Sequence, residues 1–120
     1  MAQLVIPSTG DLKITVDHSG QDAIVRPSGH INVHSSPDLR DCLQAILSTE
    51  PLPGTVIVDL AGVPNIETSG IATLIEALRI AGHHQIGFFL QGLDGSVLRL
   101  FEVTGALALF DRGGRGEEVS

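Results

Sequence analysis

The order of elements in this sequence predicts a single α/β domain with a mixed sheet of about four to five strands backed by helices. Three observations lead there. Two short β-type runs near the N-terminus are separated only by a turn-like cluster. Apolar runs then alternate with segments of helical period. The chain, at 120 residues, suits one hydrophobic core.

The elements follow in order. Leu12 to Asp17 and Ala23 to Ser28 read as strands of a hairpin around His18-Ser19-Gly20-Gln21-Asp22. Ser35-Ser36-Pro37 starts a helix, because serine caps free amides and proline suits the first helical position. That helix places Leu39, Cys42, Leu43, Ile46 and Leu47 on one face and ends before Pro51. Thr55 to Leu60 is apolar without alternation, which predicts a central strand covered on both faces. A second helix is expected from Ser69 or Gly70 to about Ala81, with Ile71, Leu74, Ile75 and Leu78 inward and Gly82 as C-terminal cap. Ile86 to Leu90 reads as another buried strand, and Ser96 as the cap of a third helix that buries Val97, Leu100 and Phe101. Ala106 to Phe110 is expected to form a short edge strand or turn. Residues 1–11 read as an N-terminal arm, 12–110 as the domain and 111–120 as a polar, glycine-rich tail.

Composition narrows the function. Hydrophobic residues make up 42% and aromatic ones only 3%, so the core must come mainly from Ile, Leu, Val and Ala. Seven basic against fourteen acidic residues give a net charge of -7, which opposes the electrostatic footprint of a protein that grips phosphate backbones. No direct nucleic-acid partner is expected. The single Cys42 allows no disulfide within the chain and suits a reducing cytoplasm, where it reads as a buried apolar residue. No run reaches the ~20 apolar residues of a membrane span, so no direct membrane contact is expected.

The stretch Glu67-Thr68-Ser69-Gly70 lies between the end of a buried strand and a helix start, where open α/β sheets place functional groups. Free amides and the helix dipole there favour an added anion, whereas Glu67 opposes it by repulsion. One hydroxyl is expected to cap the helix and leave the other free. A serine hydrolase would need a glycine at the position of Glu67 and a base nearby; His83 and His84 lie at the far end of the helix, and His30 and His34 read as loop residues. His30 and His34 also lack a third partner for a metal, and no glycine-rich nucleotide loop is present. The expectation is a non-enzymatic protein without cofactor or metal.

The string VIVDLAGVPNIETSGIATLIEAL, followed by VLRLFEVTGAL, resembles the STAS domain family, most closely the bacterial anti-sigma-factor antagonists. The resemblance runs from about Leu12 to Phe110 and implies a small mixed sheet backed by helices. It implies that Ser69, before the glycine, is phosphorylated by an anti-sigma factor with serine kinase activity and restored by a metal-dependent serine phosphatase, with Thr68 as the alternative acceptor. The partner surface should comprise Asn32, Glu67, Thr68, Ser69, Gly70, Ile71 and Ala72, converging at one end of the sheet, with Gly70 leaving room for the kinase. Where family members often carry G-E-L-D and D-S-S-G, this chain has Gly29-His30-Ile31-Asn32 and Glu67-Thr68-Ser69-Gly70. STAS domains also serve as small subunits that brace the ATPase of lipid-transporting ABC systems, where the hydroxyl position can be a threonine; Thr68 fits that alternative.

Overall fold

The computed structural model describes residues 3–6 and 12–113. Strands β1 (Gln3–Ile6), β2 (Leu12–Ser19) and β3 (Asp22–Gly29) are followed by α1 (Ser36–Ser48), β4 (Thr55–Asp59), α2 (Thr68–His83), β5 (Gly87–Gln91), α3 (Gly95–Val103) and α4 (Ala106–Gly113). The five strands lie in chain order. β1, β2 and β3 pair antiparallel, whereas β3, β4 and β5 pair parallel, so the sheet is mixed as expected. The β2–β3 hairpin closes between Ser19 and Asp22, with Gly20 at φ 63° supplying the left-handed residue that such a tight turn needs.

The helices cover one face of the sheet. Val25, Val56, Val58 and Phe88 point into that face and are fully buried against Leu39, Leu43 and Leu47 of α1, Leu74 of α2 and Phe101 of α3. This corrects the reading of Thr55–Leu60 as a strand covered on both sides. Buried and half-buried residues alternate along β4, and the middle strand is β3. The apolar outward residues have a local cause. Ile24, Ile57 and Phe89 stand side by side in register across three strands and shield one another. The ring of Phe89 also folds back over Gly87, so that a Cβ there would meet Phe89 Cε2 at 3.0 Å.

Other boundaries shift for identifiable reasons. Ala106–Phe110 is helical, because Ala106 and Phe110, one turn apart, are both buried. Gly82 lies inside α2, and His84 holds the C-terminal cap through amide bonds to the last carbonyls. Asp94 is the N-cap of α3, and Ser96 instead donates its hydroxyl to the Pro64 carbonyl at 3.0 Å. Within the segment read as an arm, Gln3–Ile6 forms the edge strand, and α4 continues to Gly113 within the segment read as a tail; residues 1–2, 7–11 and 114–120 lie outside the described residues.

Candidate functional site at the start of helix α2

Past their strand ends, β3 and β4 stay joined. The Gly29 amide donates to the Gly62 carbonyl at 3.0 Å, the Ile31 amide to the Asn65 carbonyl at 3.2 Å, and the Glu67 amide to the Ile31 carbonyl at 2.8 Å. Ile31 and Ile66 form a parallel bridge, so the loops before α1 and α2 are one short ribbon. His30 Nδ1 lies 2.8 Å from Asn65 Oδ1, a hydrogen bond in the tautomer protonated at Nδ1. The Ser96 bond to Pro64 ties the β5–α3 loop to the same end.

Asn32 holds the turn that leads into α1. Its Oδ1 accepts the His34 amide at 2.9 Å and the Ser35 amide at 3.0 Å, an Asx-type turn. The Ser35 hydroxyl accepts the Asn32 amide at 3.0 Å and donates to the His30 carbonyl at 2.8 Å. Ser35 is therefore a buried brace, although it occupies the N-cap position. An amide oxygen does this as well as a carboxylate, which accounts for a neutral residue at position 32. Asn32→Ala is expected to lower stability by about 1–2 kcal/mol, as for a lost cap, measured by denaturant titration.

The hydroxyl pair departs from the capping expectation. Glu67 is the N-cap of α2 through its carbonyl, which accepts the Gly70 amide at 2.9 Å and the Ile71 amide at 3.2 Å, and no side chain caps this helix. Thr68 is exposed. Ser69 is half-buried, and its Oγ is buried without a hydrogen-bond partner among the described residues. Among the described residues no histidine hydrogen-bonds the Ser69 oxygen, so no nucleophile–base pair is formed there.

Of the other predicted surface residues, Glu67 and Ala72 are exposed and Asn32 is half-buried, whereas Gly70 and Ile71 are buried. Gly70 has a packing role: a Cβ there would meet Ile31 Cγ2 at 2.5 Å and Ile66 Cγ1 at 2.7 Å. Sequence reading missed three features of this end. Val33 is 60% exposed beside Asn32, which puts an apolar side chain on the rim. The His30–Asn65 clasp and the Ile31–Ile66 bridge depend on long-range pairing that no local motif announces. The three loops at this end, 30–38, 60–70 and 91–96, contain Asp38, Glu67 and Asp94 and no lysine or arginine.

Elsewhere, a shallow cavity of about 270 Å³ lies at the other end of the sheet, among His18, Gln21, Asp22 and Pro51. Among the described residues no group of three or more His, Cys, Asp or Glu side chains is placed to hold a metal, and no helix is long and apolar enough to cross a membrane. Cys42 is buried, and desolvation pushes its thiol up to about 11, which keeps it protonated and unreactive near neutrality.

A one-sided mixed sheet thus carries two neighbouring hydroxyls where its loops meet helix α2, Thr68 exposed and Ser69 with its oxygen buried. The STAS domain family model matches residues 13–116, and the chain belongs to that family. Among solved structures, the chain is similar to an anti-sigma factor antagonist from Mycobacterium paratuberculosis, with 18% identity, a TM-score of 0.71, and coverage of 88% of this chain and 87% of that one. It is also similar to the unphosphorylated form of the anti-sigma factor antagonist SpoIIAA, with 12% identity, a TM-score of 0.62, and coverage of 74% and 81%. A sulfate transporter family protein from Wolinella succinogenes matches with 18% identity, a TM-score of 0.62, and coverage of 80% and 76%. Likeness at this level shows the shared fold.

Proposed function

We propose that the chain is a cytoplasmic anti-sigma-factor antagonist that binds an anti-sigma factor with serine kinase activity and loses that binding when Ser69 is phosphorylated. The observation that carries this reading is the hydroxyl pair at the start of α2, Thr68 exposed and Ser69 half-buried, on an end whose three loops carry acids and no fixed cation. In the transfer, the Ser69 Oγ–phosphorus bond forms as the bond from the γ-phosphorus to the leaving nucleoside diphosphate breaks, and the hydroxyl proton passes to a base on the kinase. The phosphate adds about -1.5 to -2 charge to an already acidic rim, and a penalty of only ~3 kcal/mol weakens association about a hundredfold. A serine phosphatase restores the binding form. Glu67, Thr68 and Ala72, with Asn32 and Val33 across the ribbon, form the contact surface, and Gly70 and Ile71 support it from beneath.

Copurification from native cells identifies the partner, and incubation with that partner and ATP should yield a singly phosphorylated protein mapped to Ser69. Ser69→Asp is expected to weaken the complex at least about tenfold in calorimetric titration, with Thr68→Val changing it less. A phosphate found only on Thr68 moves the acceptor by one residue. The competing reading, a STAS subunit bracing the ATPase of a lipid-transporting ABC system, is supported by the exposed Thr68. It takes over if the protein copurifies with such an ATPase and the association survives Ser69→Asp.

A further inference from the structure

The buried, unpartnered Ser69 oxygen and the exposed Thr68 beside it differ in access, although they are neighbours in sequence. The difference follows from helix geometry. Thr73 and Glu76 of α2 line a shallow surface groove with Arg40 and Gln44 of α1, and Ser69 lies on the same stripe of α2 one turn before Thr73, whose hydroxyl donates to the Ser69 carbonyl at 3.0 Å. Ser69 is thus on the stripe of α2 that faces α1 further along, whereas Thr68 lies about a hundred degrees round the helix and is exposed.

We propose that Ser69 is a gated acceptor: its hydroxyl is stored inward in the free domain and becomes available only when a bound partner turns it outward, while Thr68 is the hydroxyl that the free domain presents. This rests on the regulatory reading above and adds the order of events, with binding first and transfer second. A buried hydroxyl without a partner among the described residues forgoes a hydrogen bond, so no bond holds the oxygen inward. A partner that offers an acceptor for that proton can therefore draw it out. A phosphoryl group cannot follow the oxygen back, because the space that hides one hydroxyl oxygen does not hold a group with three further oxygens. The gate consequently closes only on the unmodified hydroxyl. A kinase that does not engage this surface would find Thr68 and pass over Ser69.

The test uses the full chain carrying Thr68→Cys or Ser69→Cys, with a chromogenic aromatic disulfide as probe. The parent protein sets the background, because its Cys42 is buried. The thiol at position 68 should react within about tenfold of its rate in denaturant, and the thiol at position 69 at least about a hundredfold more slowly than in denaturant. Equal native rates at the two positions overturn the proposal. Ser69→Ala supplies a second measurement that does not depend on the cysteine variant folding. Its denaturation midpoint should equal or exceed that of the parent, since the deleted hydroxyl has no partner to lose, and a lowered midpoint also overturns the proposal. Neither measurement involves a kinase, so failure of the gate is separable from failure of the regulatory reading, which the phosphorylation map decides.

Discussion

Phe88→Ala should remove about 3–5 kcal/mol of stability, a large share of the ~5–15 kcal/mol that holds a domain of this kind together. Phe88 is fully buried on the inner face of β5. Its ring centroid lies 6.2 Å from that of Phe110, which meets Phe101 edge-on at 5.9 Å. The chain has four phenylalanines and no tryptophan or tyrosine, and three of the four are in this cluster. Phe101 and Phe110 are held on helices α3 and α4, so they can collapse only partly into the space left behind. Urea titration followed by circular dichroism measures the loss. Phe89→Ala, one residue away but on the outer face and 37% exposed, should cost much less. Equal losses at the two positions would mean that the sidedness of β5 is misassigned.

Gly70→Ala is the second large effect, and two opposing terms decide it. Alanine is the better helix former by about 1 kcal/mol, which favours the variant. Against it, the new methyl would lie 2.5 Å from Ile31 Cγ2, 2.7 Å from Ile66 Cγ1 and 2.9 Å from Ile66 Cδ1. Both isoleucines are buried, and their backbones are bridged to each other, so neither has free space to enter. Overpacking costs about 1–3 kcal/mol and sometimes more, and contacts this short put the cost at the top of that range, so a net loss of about 2 kcal/mol remains after the helix gain. Because the displaced atoms belong to the ribbon beneath Glu67 and Thr68, partner binding should fall as well. Ile66→Val removes Cδ1, one of the three close atoms, and should restore part of the stability in the double variant. A Gly70→Ala protein as stable as the parent would show that α2 docks less closely than its start implies.

Helix α1 was legible in the sequence because Leu39, Cys42, Leu43 and Leu47 repeat at the helical period and all four are buried. The mixed sheet was legible because a hairpin precedes two strands separated by a helix. Two misreadings share one origin, the use of local periodicity where neighbours decide. The run Ala106-Leu107-Ala108-Leu109-Phe110 alternates small and large residues as a strand would, yet Ala106 and Phe110 are brought to the core by a helical turn. Ile57 reads as buried on both sides of β4 because its outer face is sheltered by Ile24 and Phe89, residues more than thirty positions away in either direction. At the site, the position of the hydroxyls was legible from strand and helix boundaries, but their chemistry was not. Which of Thr68 and Ser69 has its oxygen covered depends on the packing around the first turn of α2, which no local motif announces. The burial of Gly70 depends on Ile31, which arrives from another loop.

The ribbon that joins the two loops makes the hydroxyl end a mechanical coupling. Ile31 uses both backbone groups on the opposite loop, donating to Asn65 and accepting from Glu67, and it lies one residue before the Asn32 turn that launches α1. A tug on the first turn of α2 is therefore carried through Glu67 and Ile31 into the root of α1, without passing through the sheet. Rungs in such a short ladder have little independence, so loosening one shortens the lifetime of the others. A ligand seated on this end would thus be felt by two helices at once, and a charge placed there would register as a change in how firmly both are anchored.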